Sequence, residues 1–228
     1  MAEVAPVITI DGPSGSGKGT ISRLIAEQTG FHLLDSGAIY RLCALACLRG
    51  NTDIEDADAV NRVAQTLDIR FDVGTAGVIV FLAQDDVTRD IRQENVGMAA
   101  STIAAFPSVR ASLLDCQRSF QQPPGLVADG RDMGTVVFPS AGCKVFLTAS
   151  AEIRADRRVK QLQDAGQASV DRGQILADII ARDERDTNRA TSPLVPAADA
   201  LVLDSTALTI DQVLAEIMAL IKSRALLG

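Results

Sequence analysis

Positive charge is in short supply in this chain. Its 228 residues carry 22 lysines and arginines against 29 aspartates and glutamates, a formal net charge of −7. Duplex nucleic acid is held by a strong positive field, so this balance argues against a nucleic-acid partner. It leaves room for a small anionic ligand, because the arginines fall in clusters and a local cluster holds a phosphate inside an acidic protein. Long apolar runs are missing as well. Hydrophobic residues make up 47% of the chain, yet no run approaches the roughly 20 needed to span a bilayer, so no membrane partner is expected. The N-terminus lacks a basic region leading into an apolar stretch and a small-residue cleavage site, and no secretion signal is expected. Cys43, Cys47, Cys116 and Cys143 do not have zinc spacing. Cys43 and Cys47 stand four apart among Leu42, Ala44, Leu45, Ala46 and Leu48, where buried structural thiols are the expectation. A reduced, cytoplasmic protein follows. The single histidine, His32, lies in a predicted strand and reads as a packing residue, which leaves none for acid–base catalysis. Repeats and low-complexity segments are absent, and the length suits one large α/β domain or two small ones.

What is there begins at residue 6. The apolar run Pro6–Ile10 predicts a buried strand, and Gly12-Pro13-Ser14-Gly15-Ser16-Gly17-Lys18-Gly19-Thr20 follows it directly. Strand, glycine-rich turn and helix start make a phosphate-binding loop. Its backbone N–H groups, the positive helix end and the Lys18 ammonium converge on one small volume. Side chains on the glycines would block phosphate oxygens, and several positions need positive φ. The stretch fits G-x-x-x-x-G-K throughout, but Gly19 follows the lysine, so the hydroxyl arrives one residue late, at Thr20. A nucleoside triphosphate is the expected ligand.

Downstream, a helix is expected over Lys18–Thr29, a strand at His32–Leu34 and helices over Ser36–Arg49 and Ala57–Thr66. Ile69–Val73 and Val78–Leu82 alternate about a turn at Gly74–Gly77, and Asp85-Asp86 offers a second turn, which predicts a small antiparallel insert. Helices follow over Gln93–Ala105 and Ser108–Gln121, separated by Pro107. The α/β rhythm then resumes. Strands are expected at Leu126–Asp129, Lys144–Thr148 and Ala200–Leu203, with helices over Ala151–Ala165 and Arg172–Arg185. Thr209 and Gln212 form a capping box for a last helix whose apolar face is Ile210, Val213, Leu214, Ile217, Leu220 and Ile221. Alternating strands and helices imply a parallel sheet covered on both faces, with ligands at the carboxyl ends of its strands.

Polar residues gather at those ends. Asp129 closes its strand where a second acid commonly holds Mg²⁺ or one of its waters. Arg131 and Asp132 sit in the glycine-bracketed loop Gly130–Thr135, a poor core and a good binding turn. Asp35–Arg41 places an acid, a hydroxyl and an arginine around a helix start. Arg182–Arg189 is charge-balanced, which also suits an exposed, ion-paired helix. Arg154, Arg157, Arg158 and Lys160 start a helix whose dipole they oppose, which hints at another use such as closing over phosphates.

Together, Gly12–Thr20, Asp35–Arg41, Gly130–Thr135 and Arg182–Arg189 resemble the bacterial cytidylate kinase family in order and spacing. Pro193–Ala200 and Ala104–Arg110 add to the match, which runs from Ile8 to the final helix. The resemblance implies an α/β P-loop kinase core with a central parallel five-stranded sheet flanked by helices. To this it adds an antiparallel insert in the nucleoside-monophosphate-binding region and a short helical lid. One P-loop kinase domain over 1–228 is expected, with core segments near 1–35, 122–150 and 190–228, an acceptor region near 36–121 and a lid near 151–170. The implied reaction is phosphoryl transfer from ATP, with Mg²⁺, to CMP or dCMP. The attacking phosphate oxygen is already ionised, so positioning and charge neutralisation carry catalysis.

By the same resemblance Lys18 and the amides of Gly12–Thr20 hold the ATP phosphates, with Thr20 near a phosphate or the metal that Asp129 is expected to hold. Arg41 and Arg131 grip the acceptor phosphate. Ser101, Arg110, Asp132 and Arg189 read cytosine, and Asp186 with Arg182 binds the sugar. Ser36 and Tyr40 complete the acceptor contacts, with a core role for Tyr40 left open. Arg154, Arg157 and Arg158 form the lid. Regional closure over the substrates and a monomer are expected. Shikimate- or gluconate-type kinases share the loop but have little use for the insert. A GTP-driven switch would need an Asn-Lys-x-Asp or Thr-Lys-x-Asp motif, and the chain has none after its late strands.

Overall fold

The computed structural model describes residues 5–74, 77–164, 166–167 and 169–226. The tip of the predicted turn at residues 75–76 and the predicted helix end at Ala165 lie outside them. The chain divides into two compact units, one made of residues 5–35 and 118–226, the other of 36–117.

The first unit is built on a five-stranded sheet, ordered β2-β6-β1-β7-β8. Its strands are β1 (Val7–Asp11), β2 (His32–Asp35), β6 (Leu126–Gly130), β7 (Cys143–Thr148) and β8 (Leu201–Asp204). Every pairing is parallel, with Ile8 opposite Val127 and Cys143, and Asp11 opposite Gly130 and Phe146. All five β1 residues are buried, as the continuous apolar run of a central parallel strand demands. One face of the sheet, formed by Ile8, Ile10, Val127, Val145, Leu147 and Leu203, packs against two helices. Helix α1 (Lys18–Thr29) contributes Ile21 and Ile25, and α8 (Ile210–Ser223) contributes Val213, Ile217 and Ile221. Strand alternation sends Thr9 and Asp11 to the opposite face.

Helices α6 (Ala151–Asp164) and α7 (Arg172–Asn188) pack on one another in the same unit. Asp171 caps α7 by accepting from the N–H groups of Gly173 and Gln174. Between β6 and β7 lies a π-helical turn, Met133–Val137, that periodicity does not announce. Ile210 departs from the expected apolar stripe of α8. It is 54% exposed, because the first helical residue projects beyond the strand ends that the later turns cover.

The second unit holds α2 (Ser36–Arg49), α3 (Ala57–Gln65), α4 (Glu94–Ile103) and α5 (Pro107–Arg118, which ends one residue beyond it). It also holds the antiparallel sheet β3 (Ile69–Gly74), β4 (Gly77–Leu82) and β5 (Asp85–Asp86). Its buried interior includes Ile39, Leu42, Cys43, Cys47, Val60, Ile91, Ile103 and Leu113. Asp85-Asp86 is a short strand paired to Phe81 and Leu82 rather than a turn, with Ala83 taking the positive φ of the connection. Pro107 opens α5 instead of merely separating two helices, since its fixed φ and missing N–H suit the first helical position. Cys43 and Cys47 are buried free thiols. His32 is exposed on the edge strand β2, its Nε2 lying 2.9 Å from the Pro123 carbonyl. An edge strand leaves one flank open, which is why the ring is not packed as expected. Among the described residues no helix is long and apolar enough to cross a membrane.

The capping box at Thr209 and Gln212 is present in both directions. Thr209→Ala removes one of its bonds, and urea unfolding is expected to report a loss of about 1 kcal/mol.

Candidate active site

The site in the first unit is organised by the end of β1. Gly12 has a φ of +147°, and a Cβ there would lie 2.0 Å from the carbonyl oxygen of Leu147, on the neighbouring strand. Only glycine lets the chain leave the sheet at that point. Gly17 takes the left-handed conformation at the N-cap of α1 and contributes no side-chain cap. The helix start therefore offers its backbone N–H groups to a ligand. Lys18 folds back under the loop, where its Nζ donates to the Pro13 carbonyl at 2.9 Å. Burial pushes the Lys18 ammonium below its usual range, and the nearby Asp129 carboxylate opposes that shift.

Asp129 occupies the last turn of β6, in register with Asp35 of β2. Its Oδ2 lies 3.5 Å from where a Cβ of Gly19 would stand, against the first turn of α1. Burial pushes the Asp129 carboxyl upward, with Lys18 holding it down and Asp35 adding to the rise. Thr20 is exposed two residues into the helix. Oxygen donors of this kind suit Mg²⁺, which keeps most of its shell for water and substrate phosphates. Among the described residues there is no group of three His, Cys, Asp or Glu side chains that could hold a metal ion.

Beyond β6 the loop turns into a cluster of buried charge. Arg131 donates from Nε to Oδ2 of Asp186 in a short ion pair. Arg189 Nη1 stands 3.9 Å from the other Asp186 oxygen, and Arg182 reaches Ser14 Oγ of the phosphate loop at 3.5 Å. Burial alone would raise the Asp186 carboxyl, but Arg131, Arg182 and Arg189 outweigh it and hold the group below the usual carboxylate range. Asp132, next in sequence to Arg131, is buried. Residues 14, 131, 182, 186 and 189 thus meet although they are scattered along the chain.

Arg154, Arg157 and Arg158 have separate surroundings. Arg154 is almost fully buried. It donates to the carbonyls of Ala149 at 2.9 Å and Ser14 at 3.0 Å, and forks onto Asp183 at 3.1 and 2.5 Å. Arg157 donates to the Ser16 carbonyl at 3.1 Å and to Ser205 Oγ and O at 3.2 and 2.8 Å. Two arginines at the start of α6 therefore donate to carbonyls of the phosphate loop. The sequence hinted at a different use for them, closing over phosphates. Arg158 lies apart, bonded to Gln161 of its own helix.

The second unit collects its own set. Tyr40 is buried, with the Arg110 guanidinium 5.6 Å from its ring centre. Arg41 donates to the Ile91 carbonyl at 2.8 Å, and its guanidinium lies over Gly97, where a Cβ would come within 3.3 Å. Ser101, one turn further along α4, is buried with its Oγ unpartnered among the described residues. Ser36 donates to Gln117 Oε1 at 2.7 Å.

Sequence reasoning passed over Asp183, Ser205 and, above all, Asp11. The only legible signal for Asp11 was an acid closing an otherwise apolar buried strand, which is costly unless something satisfies it. Its oxygens accept the N–H groups of Met133 and Gly134, each at 2.8 Å.

A glycine loop that closes a central parallel strand, a buried lysine behind it and arginine–carboxylate pairs beside it define a P-loop phosphotransferase. Comparison with known proteins narrows the class. The family model for cytidylate kinase matches residues 8–223. The chain is 61% identical to the cytidylate kinase of Saccharophagus degradans, over 96% of this chain and 98% of the relative. It is 58% identical to that of Aeromonas salmonicida over 96% and 95%, and 54% identical to that of Shewanella sediminis over 94% of each. The chain belongs to the cytidylate kinase family.

Burial raises the Asp11 carboxyl to about 6, against two backbone N–H bonds that lower it. A folded-state value above the unfolded one stabilises the protein below the unfolded value, and that contribution is lost as pH rises through 6. Carbon-detected NMR of labelled protein is expected to place the Asp11 carboxyl midpoint near 6, and a midpoint in the ordinary aspartate range would refute this.

Proposed function

We propose that this protein transfers the terminal phosphoryl group of ATP to CMP or dCMP, giving ADP and CDP or dCDP. The observation that carries this reading is the cluster around Asp186, which sets Arg131, Arg182 and Arg189 beside the phosphate loop through Ser14. The acceptor's attacking phosphate oxygen is ionised at neutral pH, so no general base is needed. The work of the protein is to place two polyanions in line and to neutralise charge as it moves.

The N–H groups of Gly12–Thr20 and the Lys18 ammonium hold the donor phosphates. Arg154 and Arg157 support them through the loop carbonyls, and Arg158 lends its cation from the 151–170 lid. Thr20 and Asp129 are the residues that would hold Mg²⁺, whose charge offsets that of the phosphates when it is bound. Arg41 and Arg131 grip the acceptor phosphate, where a guanidinium fork matches two oxygens. Asp186, aided by Arg182, takes the sugar hydroxyls. Ser36 and Tyr40 serve the nucleoside within the acceptor region.

Cytosine is chosen by donor–acceptor pattern. Its N4 amino group donates where uracil accepts, so a carboxylate at Asp132 welcomes one base and leaves an unpaired acceptor facing the other. Ser101, Arg110 and Arg189 donate to the remaining acceptors of the ring. Unpaired buried groups in the wrong complex give strong discrimination. A cytoplasmic monomer acting on free nucleotides completes the proposal.

A coupled ADP-release assay with CMP, dCMP, UMP, AMP, dTMP, shikimate and no acceptor tests the reaction. Turnover is expected with CMP and dCMP, and ADP release that ignores CMP would sink the proposal. Asp132→Ala is expected to raise KM for CMP and to lower the CMP-over-UMP preference by about 100-fold. An unchanged ratio would remove the base-reading role.

A further inference from the structure

The first N–H groups of any helical turn have no acceptor within the turn, and a neighbouring side chain usually supplies one. Aspartate at the N-cap is among the best suited. Asp132 stands at the N-cap of the Met133–Val137 turn, yet its side chain makes no capping bond. The acceptor comes instead from a distant part of the chain. Asp11 Oδ1 takes the Met133 N–H and Oδ2 takes the Gly134 N–H, both at 2.8 Å. This carboxylate is 5% exposed and fixed at the end of the central strand.

The fit is close. A Cβ at Gly134 would lie 2.8 Å from Thr9 Oγ1, 3.2 Å from Lys144 Cδ and 3.3 Å from Asp11 Oδ2, so the turn rests on the carboxylate only because residue 134 is glycine. Met133 is fully buried and fills the space a side chain at Gly130 would need, its Cγ 2.7 Å from that position. Residues 130–134 are thereby held at both ends, with Arg131 and Asp132 between. Asp132 and Asp129 repel Asp11, and Lys18 attracts it.

We propose that Asp11 is a positioning residue for the acceptor nucleotide: by capping the Met133–Val137 turn from outside, it fixes the place of the segment that carries Arg131 and Asp132. This rests on the reading of Asp132 as a base reader. Without Asp11 the turn loses both of its outside acceptors, and cytosine loses a fixed partner although Asp132 is still present. The donor side keeps its own anchors through Lys18, Arg154 and Arg157.

Asp11→Asn tests this with little change of shape, because its amide nitrogen meets a backbone N–H where an oxygen had accepted. Steady-state kinetics are expected to give a KM for CMP raised about tenfold and a CMP-over-UMP ratio lowered about tenfold, with KM for ATP within about twofold. Hydrogen exchange at Met133 and Gly134 is expected to speed up. In the double variant with Asp132→Ala, the ratio is expected to fall no further than in Asp132→Ala alone. Gly134→Ala lifts the turn from the carboxylate by another route and is expected to reproduce the pattern should Asp11→Asn fail to fold. A ratio that falls in Asp132→Ala but not in Asp11→Asn or Gly134→Ala would overturn the role of Asp11 and leave the base reading standing. A ratio unchanged in all three would overturn the base reading itself. Equal losses toward ATP and CMP would mark Asp11 as merely structural and overturn the inference.

Discussion

The architecture of this protein's catalytic unit depends on how a buried strand stops. Strand β1 is buried along its whole length, so the point where it ends must satisfy backbone and side chain without water. Two neighbouring residues do this in opposite directions. Gly12 turns the chain away under the Leu147 carbonyl, where no side chain fits, and starts the phosphate loop. Asp11 keeps its carboxylate inside and accepts two N–H groups from the turn after β6. The donor loop and the loop carrying Arg131 and Asp132 are thus indexed to the same strand end. Each loop takes its position from its own residue of that end, which is a fitting constraint for a phosphotransferase that works by positioning.

Charge is arranged on the same plan. The chain is acidic overall, yet its buried arginines are held by carbonyls and by single carboxylates. Asp183 holds Arg154, and Asp186 holds Arg131 with Arg182 and Arg189 around it. A buried charge is tolerable only when it is paired and its hydrogen bonds are met. The pairs keep several guanidinium groups at fixed positions before any phosphate arrives. Preorganised charge of this kind needs no rearrangement when a polyanion binds, and rearrangement is what weakens electrostatic catalysis in water.

The elements were largely legible because their signals are local. The run Val7–Ile10, the glycines that follow it and the stripe Val213, Ile217 and Ile221 each report one element through a few neighbouring residues. Where the reading slipped, a non-local partner had decided. The turn Met133–Val137 has no periodicity of its own, and Asp11 caps it from another strand. Asp85-Asp86 pairs with β4 rather than turning. Ile210 obeys the helical spacing yet stays exposed, since spacing names a face but not how far the covering sheet extends.

By itself the sequence determined that a triphosphate loop sits at the end of a parallel strand, and the later arginine and aspartate motifs placed the chain among cytidylate kinases. Those are properties of contiguous residue types, fixed by backbone freedom at glycine and by the fork and charge of arginine. Only the tertiary structure decided what each charged group touches. It put Arg154 and Arg157 on loop carbonyls, ringed Asp186 with three arginines and gave Asp11 the capping role beside Asp132. The reason is that hydrogen bonds and ion pairs act over about 3 Å, and residues up to 189 positions apart come that near only once the sheet has formed.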